Sequence, residues 1–254
     1  MGKNKLKKFA EMDALPNVYQ ISYNEAVLGG VECEMKGRWG EKQFGNNNPI
    51  VLELGCGKGE YAVGLARQYP EKNFIGIDIK GSRMWSGARE AYDGGITNCA
   101  FLRTGINAID HLFAPNEVSE IWITFADPQM KKLNKRLTST YFLSLYQKVL
   151  CNGGIIHLKT DSNFLYTYTL LMAQASHLPI MVATENLYQD IVNDPILDIK
   201  TYYERQWLAR GIEIKYLQFA LPHSATLIEP DVEIEYDEYR SFGRKKRSEL
   251  DMGL

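Results

Sequence analysis

The chain has 254 residues, 45% of them hydrophobic and 24% charged, and a formal net charge of −2. This length and apolar content bury one sizeable core, and the near-neutral charge excludes a surface that is basic all over, so any polyanion site is local. No apolar run approaches the roughly 18 residues of a membrane span, and the basic start carries no apolar leader segment, so a soluble, cytoplasmic protein without a membrane partner is expected.

Residues 1–48 begin with Lys3, Lys5, Lys7 and Lys8 and turn Gly- and Asn-rich toward "FGNNNP", which reads as an N-terminal arm. From residue 49 onward, apolar runs alternate with helical patterns. "PIVLELG" predicts a strand, "KGEYAVGLARQYP" a helix closed by Pro70, and "KNFIGIDI" a second strand. "SRMWSGAREAYDGG" is a helix ended by a Gly pair, "NCAFLRT" a third strand and "SEIWITFA" a fourth. "TSTYFLSLYQKVLCNGG" predicts a helix with a Gly stop, and "GIIHLKT" a fifth strand. The remainder offers helices at "NFLYTYTLLMAQASH" and "TYYERQWLARG" and strands at "PIMVATENL" and "EIKYLQFAL". The pattern predicts an α/β fold, a doubly wound and mostly parallel seven-stranded sheet with helices on both faces. Residues 49–225 form this domain, and 226–254 are a C-terminal extension whose tail carries Arg244, Lys245, Lys246 and Arg247. Cys33, Cys56, Cys99 and Cys151 are scattered, with no CxxC pair and no histidine at ligand spacing, so neither a disulfide framework nor a metal site is expected.

Ligands of such sheets bind at the carboxyl ends of the strands. The first tip, "VLELGCGKGEY", has Glu53 just inside a turn with Gly55, Gly57 and Gly59. It lacks the Gly-Lys-Ser/Thr of a phosphate-binding loop, and Glu60 stands where a dinucleotide fingerprint needs its third Gly. The turn resembles that of S-adenosylmethionine (SAM) methyltransferases, and also fits a purely structural turn. At the second tip Asp78 can accept the hydroxyls of a ribose or cap the next helix. At the third, Asn107 can meet an adenine edge or act as a cap. Together these tips favour a nucleoside cofactor without phosphates, which describes SAM.

The fourth tip is "EIWITFADPQMKKLNKRL", where Asp127-Pro128 ends an apolar strand and Lys131, Lys132, Lys135 and Arg136 follow. It lacks the second Pro and the aromatic residue of enzymes that methylate exocyclic amines. The cations can position a nucleic acid through its phosphates, or form a solvated loop.

"KGRWGEKQFGNNNPIVLELGCGKGEY", "ADPQMKKLNKRLTSTYF", "GGIIHLKTD" and "TYYE", in that order over roughly residues 36–219, resemble the motifs of the bacterial tRNA (guanine-N7)-methyltransferases. The resemblance implies a Rossmann-like class I methyltransferase that uses SAM and no metal to convert a variable-loop guanosine of tRNA to 7-methylguanosine. It places Glu53, Gly55, Gly57, Asp78, Asn107 and Asp127 at the cofactor. Lys131, Asp161, Thr201 and Glu204 fall on the substrate, with Asp127 and Asp161 as the catalytic carboxylates. The family usually has Trp-Pro where this chain has Gln129-Met130, and its loop is longer. From spacing alone, Asp161 reads as a helix cap and Thr201 with Glu204 as a capping box. Tyr202, Tyr203 and Trp207 lie near Glu204 and can stack on a base, but aromatic residues at this helical spacing more often read as core. An enzyme acting on a small molecule or protein, or a noncatalytic RNA- or SAM-binding module, are the alternatives. Monomer and homodimer are both open.

Overall fold

Helix α1 (Lys3–Ala14) and a three-residue strand β1 (Val18–Gln20) precede the alternation of strands and helices. The computed structural model of the chain describes residues 3–29 and 33–238. Strand β2 (Ile50–Leu54) leads through α2 (Glu60–Gln68) to β3 (Asn73–Asp78), and α3 (Gly81–Asp93) leads on to β4 (Cys99–Arg103). The short α4 (Ile109–Leu112) precedes β5 (Val118–Thr124), and α5 (Thr140–Val149) runs into β6 (Leu150–Thr160). Then come α6 (Asn163–Ala175), β7 (Ile180–Thr184), α7 (Leu187–Asp190), α8 (Tyr202–Leu208) and β8 (Lys215–Leu221).

The strands form one sheet in the order β1-β4-β3-β2-β5-β6-β8-β7. All pairs are parallel except β8, which runs antiparallel to β6 and β7. Every residue of β2 is buried, as expected for a parallel strand covered on both faces. Side chains alternate across the sheet: Ile50, Leu52 and Leu54 pack with α4, α5 and α6, while Val51 packs with α1, α2, α3 and α8. The same alternation sends Glu53 to the α2 side, which decides its chemistry below.

The sheet has eight strands, one more than the seven expected, because Val18–Gln20 pair with Phe101–Arg103 of β4. Three residues are too few to show a period, yet they cover the otherwise open edge of β4. The N-terminal segment also enters the core through Trp39, which is fully buried, stacks on Phe113 and donates its indole N–H to the Leu112 carbonyl at 2.9 Å. The glycines expected to stop α5 lie inside β6 instead. Gly153, at φ +73°, sits where the β5–β6 register shifts, so it serves a bulge. Among the described residues no helix is long and apolar enough to cross a membrane. The tail cations Arg244, Lys245, Lys246 and Arg247, and the side chains of Lys3 and Lys5, lie outside the described residues.

Candidate active site

Connections leave β2 toward β3 on one side, and the chain later returns to β5 on the other, so the strand order reverses beside β2. A crevice opens at the carboxyl ends there, as this topology dictates. It has two lobes of about 380 and 790 Å³ that share Gly55, Asp78, Gln129, Lys135 and Leu137.

Gly55 (φ +77°) and Gly57 (φ +57°) are left-handed, a conformation that L side chains resist. A Cβ on Gly57 would meet nothing closer than the Gly55 carbonyl oxygen at 3.9 Å, so the turn leaves open space beside it. The Asp78 carboxylate accepts from the N–H of Gly57 at 2.9 Å and of Lys80 at 2.8 Å, tying the second strand tip to the first. Each oxygen keeps a lone pair for a further donor. The side chain caps no helix: α3 starts without a side-chain cap. Asn107 lines the larger lobe and α4 likewise begins without a side-chain cap, so the capping alternative is not realised there either.

The larger lobe also holds two residues that sequence reasoning missed. Ile79 is 66% exposed, an uncovered apolar face, and the Thr104 hydroxyl is buried without a hydrogen-bond partner. An apolar flank, a carboxylate with spare lone pairs, an unsatisfied hydroxyl and an amide suit a nucleoside. Their positions directly after β3 and β4 were the available signal.

Glu53 lies under the start of α2. One oxygen accepts from the Ala62 N–H at 2.9 Å and the other from the Thr124 hydroxyl at 2.6 Å, joining helix, β2 and β5. Burial pushes its carboxyl up to about 7 against these two hydrogen bonds. A carboxyl whose folded pKa exceeds its unfolded value (roughly 4.3) binds its proton more tightly when folded. Stability from this group therefore falls as pH rises from there to about 7 and stays level above it. Glu53→Gln keeps an acceptor for Ala62 and is expected to be more stable than wild type at pH 8 by about 1–3 kcal/mol, with little difference at pH 4. Urea unfolding at both pH values checks this; identical pH slopes for the two proteins would contradict it.

Beyond β5 the chain turns sharply, with Phe125 at φ +52° and Gln129 at φ +48°. Asp127 is exposed in the smaller lobe and accepts from the Gln129 N–H at 3.0 Å. Lys131, Lys132 and Lys135 are exposed, as a phosphate-facing loop requires. Arg136 corrects the sequence reading. It is 4% exposed, donates to the carbonyls of Pro128 (3.1 Å), Gln129 (3.2 Å) and Met130 (3.3 Å), and lies over the rings of Phe164 and Tyr168. It is the internal clamp of this loop, and its charge is not offered to a polyanion.

Asp161 follows β6 and is 1% exposed. The N-cap position of α6 is the next residue, Ser162, whose hydroxyl accepts from the Leu165 N–H. Thr201 lines the smaller lobe and forms a complete capping box with Glu204 at the start of α8. Glu204 itself is 0% exposed: its carboxylate pairs with the buried Lys159 ammonium at 2.9 Å and accepts from the Tyr188 hydroxyl. Tyr203 and Trp207, read as core, both reach the lobe wall, with Trp207 also buried in the core. Lys58 lines the same lobe and lies 3.7 Å over the Tyr202 ring.

Residues 47–217 match a family described as "Putative methyltransferase". The chain is 59% identical over 250 residues to the tRNA (guanine-N(7)-)-methyltransferase of Bacteroides thetaiotaomicron, covering 98% of each. It is 56% identical to that of Porphyromonas gingivalis over 94% of this chain and 98% of that one. It is 34% identical to the Listeria welshimeri protein of the same name, over 73% and 86% respectively. The fold is shared with the 16S rRNA methyltransferase KamB at a TM-score of 0.55 and 13% identity, over 76% of this chain and 95% of that one. Glu53, Gly55, Gly57, Asp78, Asn107, Asp127 and Thr201 line the cleft, and Lys131, Asp161 and Glu204 do not; with near-complete coverage at such identities, the chain belongs to the bacterial tRNA (guanine-N7)-methyltransferase family.

Proposed function

We propose that the protein transfers a methyl group from SAM to N7 of a guanosine in tRNA, the variable-loop guanosine, and that it works in the cytoplasm. The observation that carries this reading is the convergence of Gly55, Gly57, Asp78, Asp127 and Thr201 on one cleft of a chain in this family.

SAM, when bound, supplies a methyl group activated by a positively charged sulfur. Gly55 and Gly57 would permit its close approach, Asp78 would accept from its ribose hydroxyls, and Asn107, Thr104 and Ile79 would hold its adenine. Guanine N7 has an in-plane lone pair and no proton, so the chain need only align the base, and general-base catalysis is not required. Positive charge passes to the purine during transfer. Asp127, exposed in the cleft, favours that passage electrostatically and offers an acceptor to the guanine N–H groups, while Asp161, buried and outside the lining of both lobes, contributes through its charge alone. Thr201 meets the substrate from the opposite wall, and Glu204 acts through it, holding the Thr201 backbone and hydroxyl by the capping box.

Lys131, Lys132 and Lys135 contact phosphate. The logarithm of tRNA affinity is expected to fall linearly with the logarithm of salt concentration, and Lys131→Ala is expected to reduce that slope by about 1. Filter binding across a salt series measures it; a slope equal to that of wild type would remove Lys131 from the interface. Synthesis of 7-methylguanosine in unmodified tRNA tests the whole reading.

A further inference from the structure

The segment after β8 lies beyond the residues that match the family model, yet it returns to the loop that follows Asp127, where it lines a cavity with Met130, Leu133 and Arg136 that is separate from the two lobes of the cleft. It runs along α6 from the C-terminal end to the N-terminal one. Ile228 N–H donates to the Ser176 hydroxyl at 2.8 Å, and Glu229 accepts from the Tyr168 hydroxyl at 2.6 Å. The other oxygen of Glu229 accepts from the Thr140 N–H (3.1 Å) and hydroxyl (2.6 Å) at the start of α5. Asp237, 5% exposed, accepts from the Phe164 N–H at 3.0 Å and from the Ser162 hydroxyl. It thus caps α6 from a distant part of the chain, and its charge complements the helix dipole.

The same residues reach the loop that carries Asp127. The Asp237 N–H points at the Met130 sulfur at 3.3 Å, and Tyr236 packs edge-on against Phe164 at 5.5 Å. Phe164 and Tyr168 in turn lie under Arg136, which holds the carbonyls of residues 128–130. A continuous path of contacts therefore runs from the segment, through the first turns of α6 and Arg136, to the backbone beside Asp127. Met130 is one of the two residues by which the loop departs from the usual Trp-Pro, and it is the one that the segment touches.

We infer that residues 226–238 form a strap belonging to the catalytic apparatus, with Asp237 and Glu229 as positioning residues for the loop of Asp127 and Lys131. The catalytic half of this inference rests on the proposed methyl transfer; the mechanical half does not. Gln129 holds a left-handed backbone that a non-Gly residue adopts only when its surroundings impose it. The strap supplies part of that constraint, and a loop displaced by about 1 Å loses on the order of 10²-fold in rate.

The test uses the full chain with Asp237→Ala, Asp237→Asn and Glu229→Gln. Two quantities are measured: steady-state methylation of unmodified tRNA, and amide hydrogen exchange of peptides spanning 126–137 in the protein alone. Asp237→Ala is expected to lower kcat roughly 10- to 100-fold with KM for SAM within about twofold, and to speed exchange in those peptides. Asp237→Asn, which keeps an acceptor for the Phe164 N–H, is expected to recover most of both. Glu229→Gln pulls on the other end of the strap, should shift both readouts in the same direction by less, and serves if the alanine variant does not fold. A folded variant with a lower melting temperature but wild-type kcat and loop exchange would overturn the inference. If wild type methylates no tRNA, the functional reading fails, and loop exchange alone then decides whether the strap holds the loop.

Discussion

Asp127→Ala is expected to lower kcat for tRNA methylation on the order of 10²-fold or more, with SAM affinity changed far less. The side chain is exposed at a strand tip and makes one hydrogen bond, to the Gln129 N–H two residues away. Its removal should therefore shift global stability by only about 0.5 kcal/mol, the usual range for surface positions. Local geometry and charge are separable. Asp127→Asn keeps an acceptor for Gln129 but removes the negative charge, so it should remain close to the alanine variant in kcat if charge is what matters. Recovery of wild-type turnover by the asparagine variant would show that Asp127 only shapes the turn.

The largest stability effect is expected at Glu204. Its carboxylate and the Lys159 ammonium are both 0% exposed and 2.9 Å apart. Lys159 also donates to the carbonyls of Leu197 (2.6 Å) and Ile199 (3.1 Å), and Glu204 is the carboxylate in direct contact with it. Burial draws the Lys159 pKa down and the Glu204 charge opposes that shift. Glu204→Ala leaves the ammonium buried without its paired carboxylate, a loss of about 3–5 kcal/mol, and removes the half of the capping box in which Glu204 accepts from the Thr201 N–H, while the Thr201 hydroxyl still accepts from the N–H of residue 204. Denaturant unfolding measures this. The double replacement Lys159→Met with Glu204→Leu should recover at least about 1 kcal/mol over Glu204→Ala, since it deletes the stranded charge. A loss below about 1 kcal/mol for Glu204→Ala would mean that the pair is not the anchor described. Because Thr201 forms the cleft wall and shares the capping box, turnover should fall in the same variant even where it stays folded.

Much of this architecture was legible in the sequence because its carriers are local. Buried parallel strands read as unbroken apolar runs, and strand tips fall at their ends, which is how Glu53, Asp78 and Asp127 were found. The capping box of Thr201 and Glu204 was legible from a three-residue spacing, whereas its ionic partner arrives from β6 and leaves no mark nearby. Arg136 was misread for the same reason. A run of cations looks solvated, and what buries Arg136 is a pair of aromatic rings on the first turns of α6. Strand β1 and Trp39 had no periodic neighbourhood to announce them, so the N-terminal segment looked like an arm laid on the domain and not like part of the sheet and core that it helps to fill. Gly153 looked like a helix stop because a glycine in a bulge and a glycine after a helix share the same left-handed backbone.

The most direct measurement is methyl transfer itself. The protein is incubated with SAM labelled in its methyl group and with unmodified tRNA, and the labelled nucleoside is identified and its position mapped. Label recovered as 7-methylguanosine in the variable loop is the expected result. Label on another atom or base, or no transfer to tRNA by protein that binds SAM, would contradict the proposed function.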